Sequence, residues 1–205
     1  MSSSDDLRAI ALAEFATAGY AGTSLHRIAD LAGLSKSSVL YHYTSKETLL
    51  EAAIGPAIER MAQIVDTMAN ASATAQSRGA FIEEFVDFLL EHRREVHMFI
   101  NQGPSLVDVP AIDRANELVL NIAEFFSATV ASTEDKMRFG IALGGAAYML
   151  CTQDAYNLPV PPVDETRGAL VTIVTELLAP VALSAVTSTA VSSSAASTAS
   201  STDLD

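Results

Sequence analysis

Cysteine is nearly missing from this 205-residue chain. The one thiol, Cys151, excludes an intrachain disulfide framework and is compatible with a reducing compartment. Basic residues are also scarce: twelve Lys and Arg stand against twenty-five Asp and Glu, a net charge of −13. That excess argues against a protein that holds polyanions by bulk positive charge. No apolar stretch reads as a bilayer span. Phe139–Cys151 is too short, and Gly168–Val186 carries Glu176 and Pro180 in its middle. The opening Met-Ser-Ser-Ser-Asp-Asp has no basic start before an apolar run, so no signal peptide is expected and a cytoplasmic location is the reading. Enzyme signatures are missing too: no Gly-x-Ser-x-Gly elbow, phosphate loop, Cys-His pair or paired Glu-x-x-His. Glu91, His92, Glu95 and His97 cluster in the sequence, but in the wrong order for such a motif and without a second copy. They read as a solvated helix edge, so neither metal nor cofactor is expected.

Hydrophobic residues make up 49% of the chain, enough for a substantial core. Glycine and proline are modest in number and the periodic apolar stretches are long, which predicts an all-α fold of about nine helices. Leu7, Ile10, Ala11 and Phe15 fall at steps of three and four, a first helix over 5–18 ended by Gly19 and Gly22. Leu25, Ile28, Ala29 and Ala32 give a second, capped by Thr23 or Ser24 and stopped by Gly33. Ser35 can cap a third over Lys36–His42, with Val39 and Leu40 inward. Lys36, Ser37, Ser38, Tyr41 and His42 are then left for the outer face. Two short helices around a glycine turn, the second outwardly polar, suit a DNA major groove.

Thr44-Ser45-Lys46-Glu47 reads as a capping box from Thr44 to Glu47, opening a fourth helix that runs to about Asn70. Pro56 near its second turn predicts a kink. Ala69–Gly79 reads as a connection, followed by helices over about 78–93, 95–102, 111–131, 132–156 and 164–183. From Ser184 onward Ser, Ala and Thr dominate, a composition with little to bury, and a disordered tail is expected. The predicted organisation is therefore a DNA-binding head at 1–48, a larger helical domain at 49–183 and a tail at 184–205. Residues 1–50 carry a net charge of only −1, against −12 for the rest. DNA affinity should be modest and salt-sensitive unless two copies bind together.

The run Ile28-Ala29-Asp30-Leu31-Ala32-Gly33-Leu34-Ser35, followed by Leu40-Tyr41-His42-Tyr43-Thr44-Ser45-Lys46-Glu47-Thr48-Leu49-Leu50, resembles the signature of the tetracycline-repressor (TetR) family. Ala11, Phe15, Gly19, Tyr20 and Thr23 are similar to that family's first-helix pattern. Tyr43 stands where phenylalanine is usual, and Ser37 where glycine is common. The resemblance implies phosphate contacts by Thr23, Tyr43 and Lys46, and groove contacts by Lys36, Ser37, Ser38, Tyr41 and His42. Tyr43 is equally suited to the core, His42 to a phosphate, and Arg27 to a plain surface charge. It further implies a homodimer that binds a palindromic operator on double-stranded DNA, acts as a repressor, and releases the DNA on binding a small effector.

Some residues support these implications independently. Gly140, Gly144 and Ala147, with Gly145, place small residues on one side of the eighth helix, for close contact with a second subunit or within one. Leu170, Ile173, Val174, Leu177 and Leu178 give the last helix more apolar surface than a small domain easily hides. An effector pocket among helices four to eight would draw on Met61, Phe81, Phe85, Phe88, Phe99, Asn121, Phe125, Tyr148 and Met149, although such residues are also ordinary core. Phe126 belongs to the same set, and Asn101, Gln102 and Gln153 are further polar candidates. Few bases lie there, so a largely apolar, neutral or cationic ligand fits best. The alternative is an adaptor or activator of the same type, acting through protein contacts or without ligand-induced release.

Overall fold

The computed structural model describes residues 4–71, 74–103, 106, 109–130, 132–152 and 161–181. Its elements are α1 (Ser4–Ala18), α2 (Leu25–Ala32), α3 (Lys36–His42), α4 (Lys46–Asn70), α5 (Ala75–Glu91), α6 (Arg93–Gln102), α7 (Pro110–Thr129), α8 (Thr133–Phe139), a π-helical turn Gly140–Gly144, α9 (Gly145–Thr152) and α10 (Val163–Leu178). Among the described residues there is no strand, and the fold is all-α. Helix α8, the π turn and α9 follow one another without a break, so they count as one rod and the described rods number nine, as the periodicity predicts.

Local chemistry sets most of the helix ends. The Ser24 hydroxyl accepts from the Arg27 amide at 3.1 Å, and the Ser35 hydroxyl from that of Ser38 at 3.1 Å. Gly33 stops α2 at φ +66°, a left-handed conformation that a side chain resists. Two expectations shift. The capping box of α4 lies one residue later than Thr44–Glu47: Ser45 accepts from the Thr48 amide at 3.1 Å, and the Thr48 hydroxyl accepts from the Ser45 amide at 3.0 Å. A threonine hydroxyl does there what the expected glutamate would do. Helix α5 starts a turn early for the same reason, since Thr74 and Ser77 form a second box inside what reads as a connection. Helix α4 continues through Pro56. The tail from 184 on lies outside the described residues, as do Gln153 and the side chain of Phe126.

Two cores result. In the first, Leu7, Phe15, Ile28, Val39, Leu49 and Leu50 from α1–α4 are fully buried, each contributing roughly 1.5–3 kcal/mol relative to exposure. This core also takes in Met98 from α6 and Ala111 and Ile112 from α7. A division at 48/49 therefore follows the chain but not the packing. The second core joins α5 to the α8–α9 rod and α10 through Phe85, Val86, Leu89, Leu143, Val174 and Leu178. On its outer side Arg167 of α10 donates to Asp87 of α5 at 2.5 and 2.9 Å.

Candidate nucleic-acid interface and internal cavity

Helix α3 is anchored by Val39, which is fully buried. Leu40 is not its inward partner but lies 38% exposed, because a seven-residue helix turns only one narrow face to the core. Lys36, Ser37, Tyr41 and His42 point outward, Tyr41 at 87% exposure. Ser38 is half-buried, and its hydroxyl and that of Ser37 each lie 2.8 Å from the Ser35 hydroxyl at the helix start. Tyr41 and His42 meet edge to face at 5.5 Å. Of the bases in the head, Arg8 pairs with Asp5 at 2.6 Å and Arg27 with Glu14 at 3.1 Å. Lys36 has no ion pair among the described residues and remains a free cation at the outward face.

The three expected phosphate contacts sit differently. Thr23 is buried; its hydroxyl donates to Gly19 O at 2.8 Å and its amide to the Gly19 and Tyr20 carbonyls. With both donors engaged inside the head, Thr23 holds the α1–α2 turn. Tyr43 is 8% exposed, and its hydroxyl lies 2.6 Å from the Ser4 hydroxyl and also donates to Ser4 O at 3.3 Å. The extra oxygen relative to phenylalanine is thus satisfied by the start of α1. Lys46 donates to Tyr20 O at 2.8 Å and Thr23 O at 3.1 Å, with its ammonium 4.1 Å from the Tyr20 ring centre. Burial, followed by the nearby Glu47, raises the Tyr20 phenol above its ordinary range.

Behind the head lies a cavity of about 240 Å³ walled by α4, α5, α6, α7 and the π turn. Met61, Phe85, Phe88 and Phe99 line it as the sequence suggests. Phe81 does not; it stacks on Phe85 at 5.9 Å in the second core. Phe125 packs on that same core, half-buried, and Asn121 is exposed on α7. Tyr148 and Met149 are more than half exposed on the outside of the rod, because inward positions there belong to Leu143, Ala146 and Leu150. Much of the wall is aliphatic and is not singled out by sequence, notably Ile58 of α4 and Ile112, Ala115, Leu118 and Ile122 of α7. Their spacing of three and four is the available signal, but it marks any buried stripe. Glu95 is the one ionisable residue among the described lining residues.

Gly140 and Gly144 are exposed on the rod, and Gly144 also borders the cavity. Ala147 is half-buried against the second core. Ile173 is half-exposed, and it lines, with Leu177, Ile141 and Met149, an apolar groove of about 350 Å³ between the rod and α10. Elsewhere, Arg93 donates to Leu150 O at 2.7 Å and His97 Nδ1 to Cys151 O at 2.9 Å, so α6 side chains cap the end of α9. His92 lies 3.6 Å from Glu95. Burial pushes the Cys151 thiol up to about 11, with Arg93 opposing it.

A head with an outward polar helix after a glycine turn, joined to a helical body that lines an apolar cavity, has the form of a helix-turn-helix unit on a helical body. Residues 7–53 match the family described as "Bacterial regulatory proteins, tetR family". That match covers the head alone, and through it the chain resembles the TetR-type regulators. It is 31% identical over 114 residues to the HTH-type transcriptional repressor KstR2 of Mycolicibacterium smegmatis, covering 53% of this chain and 54% of that one. The chain thus spans about half the length of this curated relative. The ketosteroid transcriptional regulator KstR2 of Mycobacterium tuberculosis shares the fold, with a TM-score of 0.66, 14% identity, and coverage of 87% of this chain and 94% of that one. AmtR of Mycobacterium smegmatis does so with a TM-score of 0.67, 18% identity, and coverage of 87% and 86%.

Proposed function

We propose that this protein is a transcriptional repressor that binds a palindromic operator as a homodimer and is released by a small, largely apolar ligand. The observation that carries the reading is the double use of α4. Its first residue, Lys46, is bonded to the head, and its middle, through Ile54, Ala57 and Met61, walls the cavity. A ligand that reshapes the cavity therefore acts on a helix that holds the reader. The exposed apolar side chains Ile141, Tyr148, Met149 and Ile173 form the face for a second copy, which would set two α3 helices on successive turns of the major groove. The repressor activity in the name of the Mycolicibacterium smegmatis relative supports the direction of control. The ligand must favour the released state by about 10⁴-fold, or roughly 5.5 kcal/mol, to move the population from mostly bound to mostly free.

Enrichment of random duplex DNA by the purified protein tests this reading. A palindromic consensus is the expected result, retained by protein of twice the chain mass. Enrichment of no sequence would overturn it. A cognate ligand that binds tightly yet leaves operator affinity unchanged would overturn the release step alone.

A further inference from the structure

Gln102, the last residue of α6, reads in the sequence as a polar contact for a ligand, but it is occupied elsewhere. Its Nε2 donates to Phe15 O in the last turns of α1 at 2.5 Å, and its Oε1 accepts from the Tyr20 amide at 2.7 Å. A primary amide is a planar group that presents a donor and an acceptor together, so it can tie a carbonyl at the end of α1 and an N–H of the following turn at once. The turn it grips, residues 19–23, leads directly into α2. It is left-handed at Gly19 (φ +82°) and is closed within itself only by the bonds from Thr23 to the Gly19 and Tyr20 carbonyls. From the other side Lys46 of α4 donates to Tyr20 O and Thr23 O of the same turn. The turn is therefore held between α6 and α4, and both helices wall the cavity, α6 through Met98 and Phe99.

We infer that Gln102 is a positioning residue that couples the cavity to the reading head by clamping the α1–α2 turn. Phe99 stands a little less than one helical turn before Gln102 on the same helix. Outward movement of Phe99 as the cavity fills carries the end of α6, and with it both hydrogen bonds, away from the end of α1 and the turn that follows. The turn then loses one of its two ties to the body, and α2 with α3 shifts relative to the body. The inference rests on the ligand-release reading and adds to it a second route that does not pass through α4.

A double-mutant cycle tests the clamp without knowledge of the ligand. Ala115→Phe fills the cavity from α7, where Ala115 is part of the wall. Gln102→Met removes both hydrogen bonds at similar length. With Gln102 in place, A115F should weaken binding to the enriched operator by at least about tenfold, within the usual range of allosteric coupling. It should also speed hydrogen exchange at the Tyr20 amide. In the Q102M background the same substitution should weaken operator binding by a clearly smaller factor, about threefold, the remainder being carried by α4. A merely structural role for Gln102 would lower the melting temperature and leave the A115F factor intact, and that outcome overturns the clamp while release survives. No effect of A115F on operator binding in either background overturns release and the clamp together. Should A115F fail to fold, saturation with naphthalene replaces it. Its ten carbons suit the cavity on the scale by which one of about 150 Å³ takes benzene. The same comparison of factors between backgrounds then decides.

Discussion

At the scale of single residues, the head separates buried, bonded side chains from the exposed ones on α3 that the proposed function assigns to DNA. Thr23→Val removes the hydroxyl that donates to Gly19 O, and should destabilise the protein by about 1 kcal/mol, measured by urea unfolding. A phosphate-binding threonine would instead cost DNA affinity at unchanged stability. Lys36→Ala and Tyr41→Ala should do the reverse. Both side chains are exposed, and neither supports the fold, so unfolding midpoints should stay put. Operator affinity should fall by about 1–3 kcal/mol for each side chain that reads a base edge, measured by titration of the enriched duplex. The exposed face of α3 is legible in the sequence because outward polar residues on a short capped helix leave a clear pattern. The holding set is legible only in part. Thr23 and Lys46 carry polar groups that look available until the α1–α2 turn, a matter of three-dimensional closure, brings carbonyls against them.

At the scale of elements, the existence of a helix is easier to read than its role. Periodicity locates the nine rods, and glycine and hydroxyl residues locate most of their ends. The differences of one residue in the α4 box and one turn in α5 share a cause, because a Ser/Thr pair at the N-cap and N3 positions completes a box as well as a Glu does. The cavity wall is half-legible. Aromatic residues draw attention, yet the aliphatic stripe of α7 contributes as much wall, and nothing local distinguishes a stripe that meets a void from one that meets a core. The α5–α10 contact is not legible at all, since Arg167 and Asp87 lie eighty residues apart in sequence. It also carries a pH dependence. The hydrogen bond from Arg167 holds the Asp87 carboxyl below its ordinary 3.8, against the opposing effect of burial. A lowered folded-state value stabilises above the unfolded pKa, and the stabilisation is lost as pH falls through the folded one. Asp87→Asn should therefore flatten the acid limb of a melting-temperature profile below about pH 4. Its effect near pH 7 should be small and weaken with added salt, as suits an exposed pair.

At the scale of the whole molecule, the proposed function asks an acidic protein to bind a polyanion, and two copies acting together would let it do so. Ile173→Asp places a charge on the exposed apolar face beside the groove of α10. Sedimentation should show a folded particle of 21.6 kDa in place of one about twice that mass, with operator affinity abolished. The electrostatics of the remaining dimer can be bounded from the head. Arg8 and Arg27 are paired with acids, so on the proposed function each subunit would bring Lys36, and at most also Lys46 from under the α1–α2 turn, to the phosphates. Counterion release gives a slope of log affinity against log salt of about −0.9 per phosphate neutralised, so a dimer should lie between about −2 and −4. Hydroxyls, aromatic rings and helix-start amides contact DNA without releasing ions, and they must supply the rest. A salt titration on the enriched operator and on a scrambled duplex checks this. The expected result is a shallow slope on the operator, with the scrambled duplex scarcely bound even at low salt because the net charge of −13 opposes it. A slope of about −8 or steeper would mean that cations outside the head reach the phosphates, and would require a docking mode in which the body, not only α3, lies along the DNA.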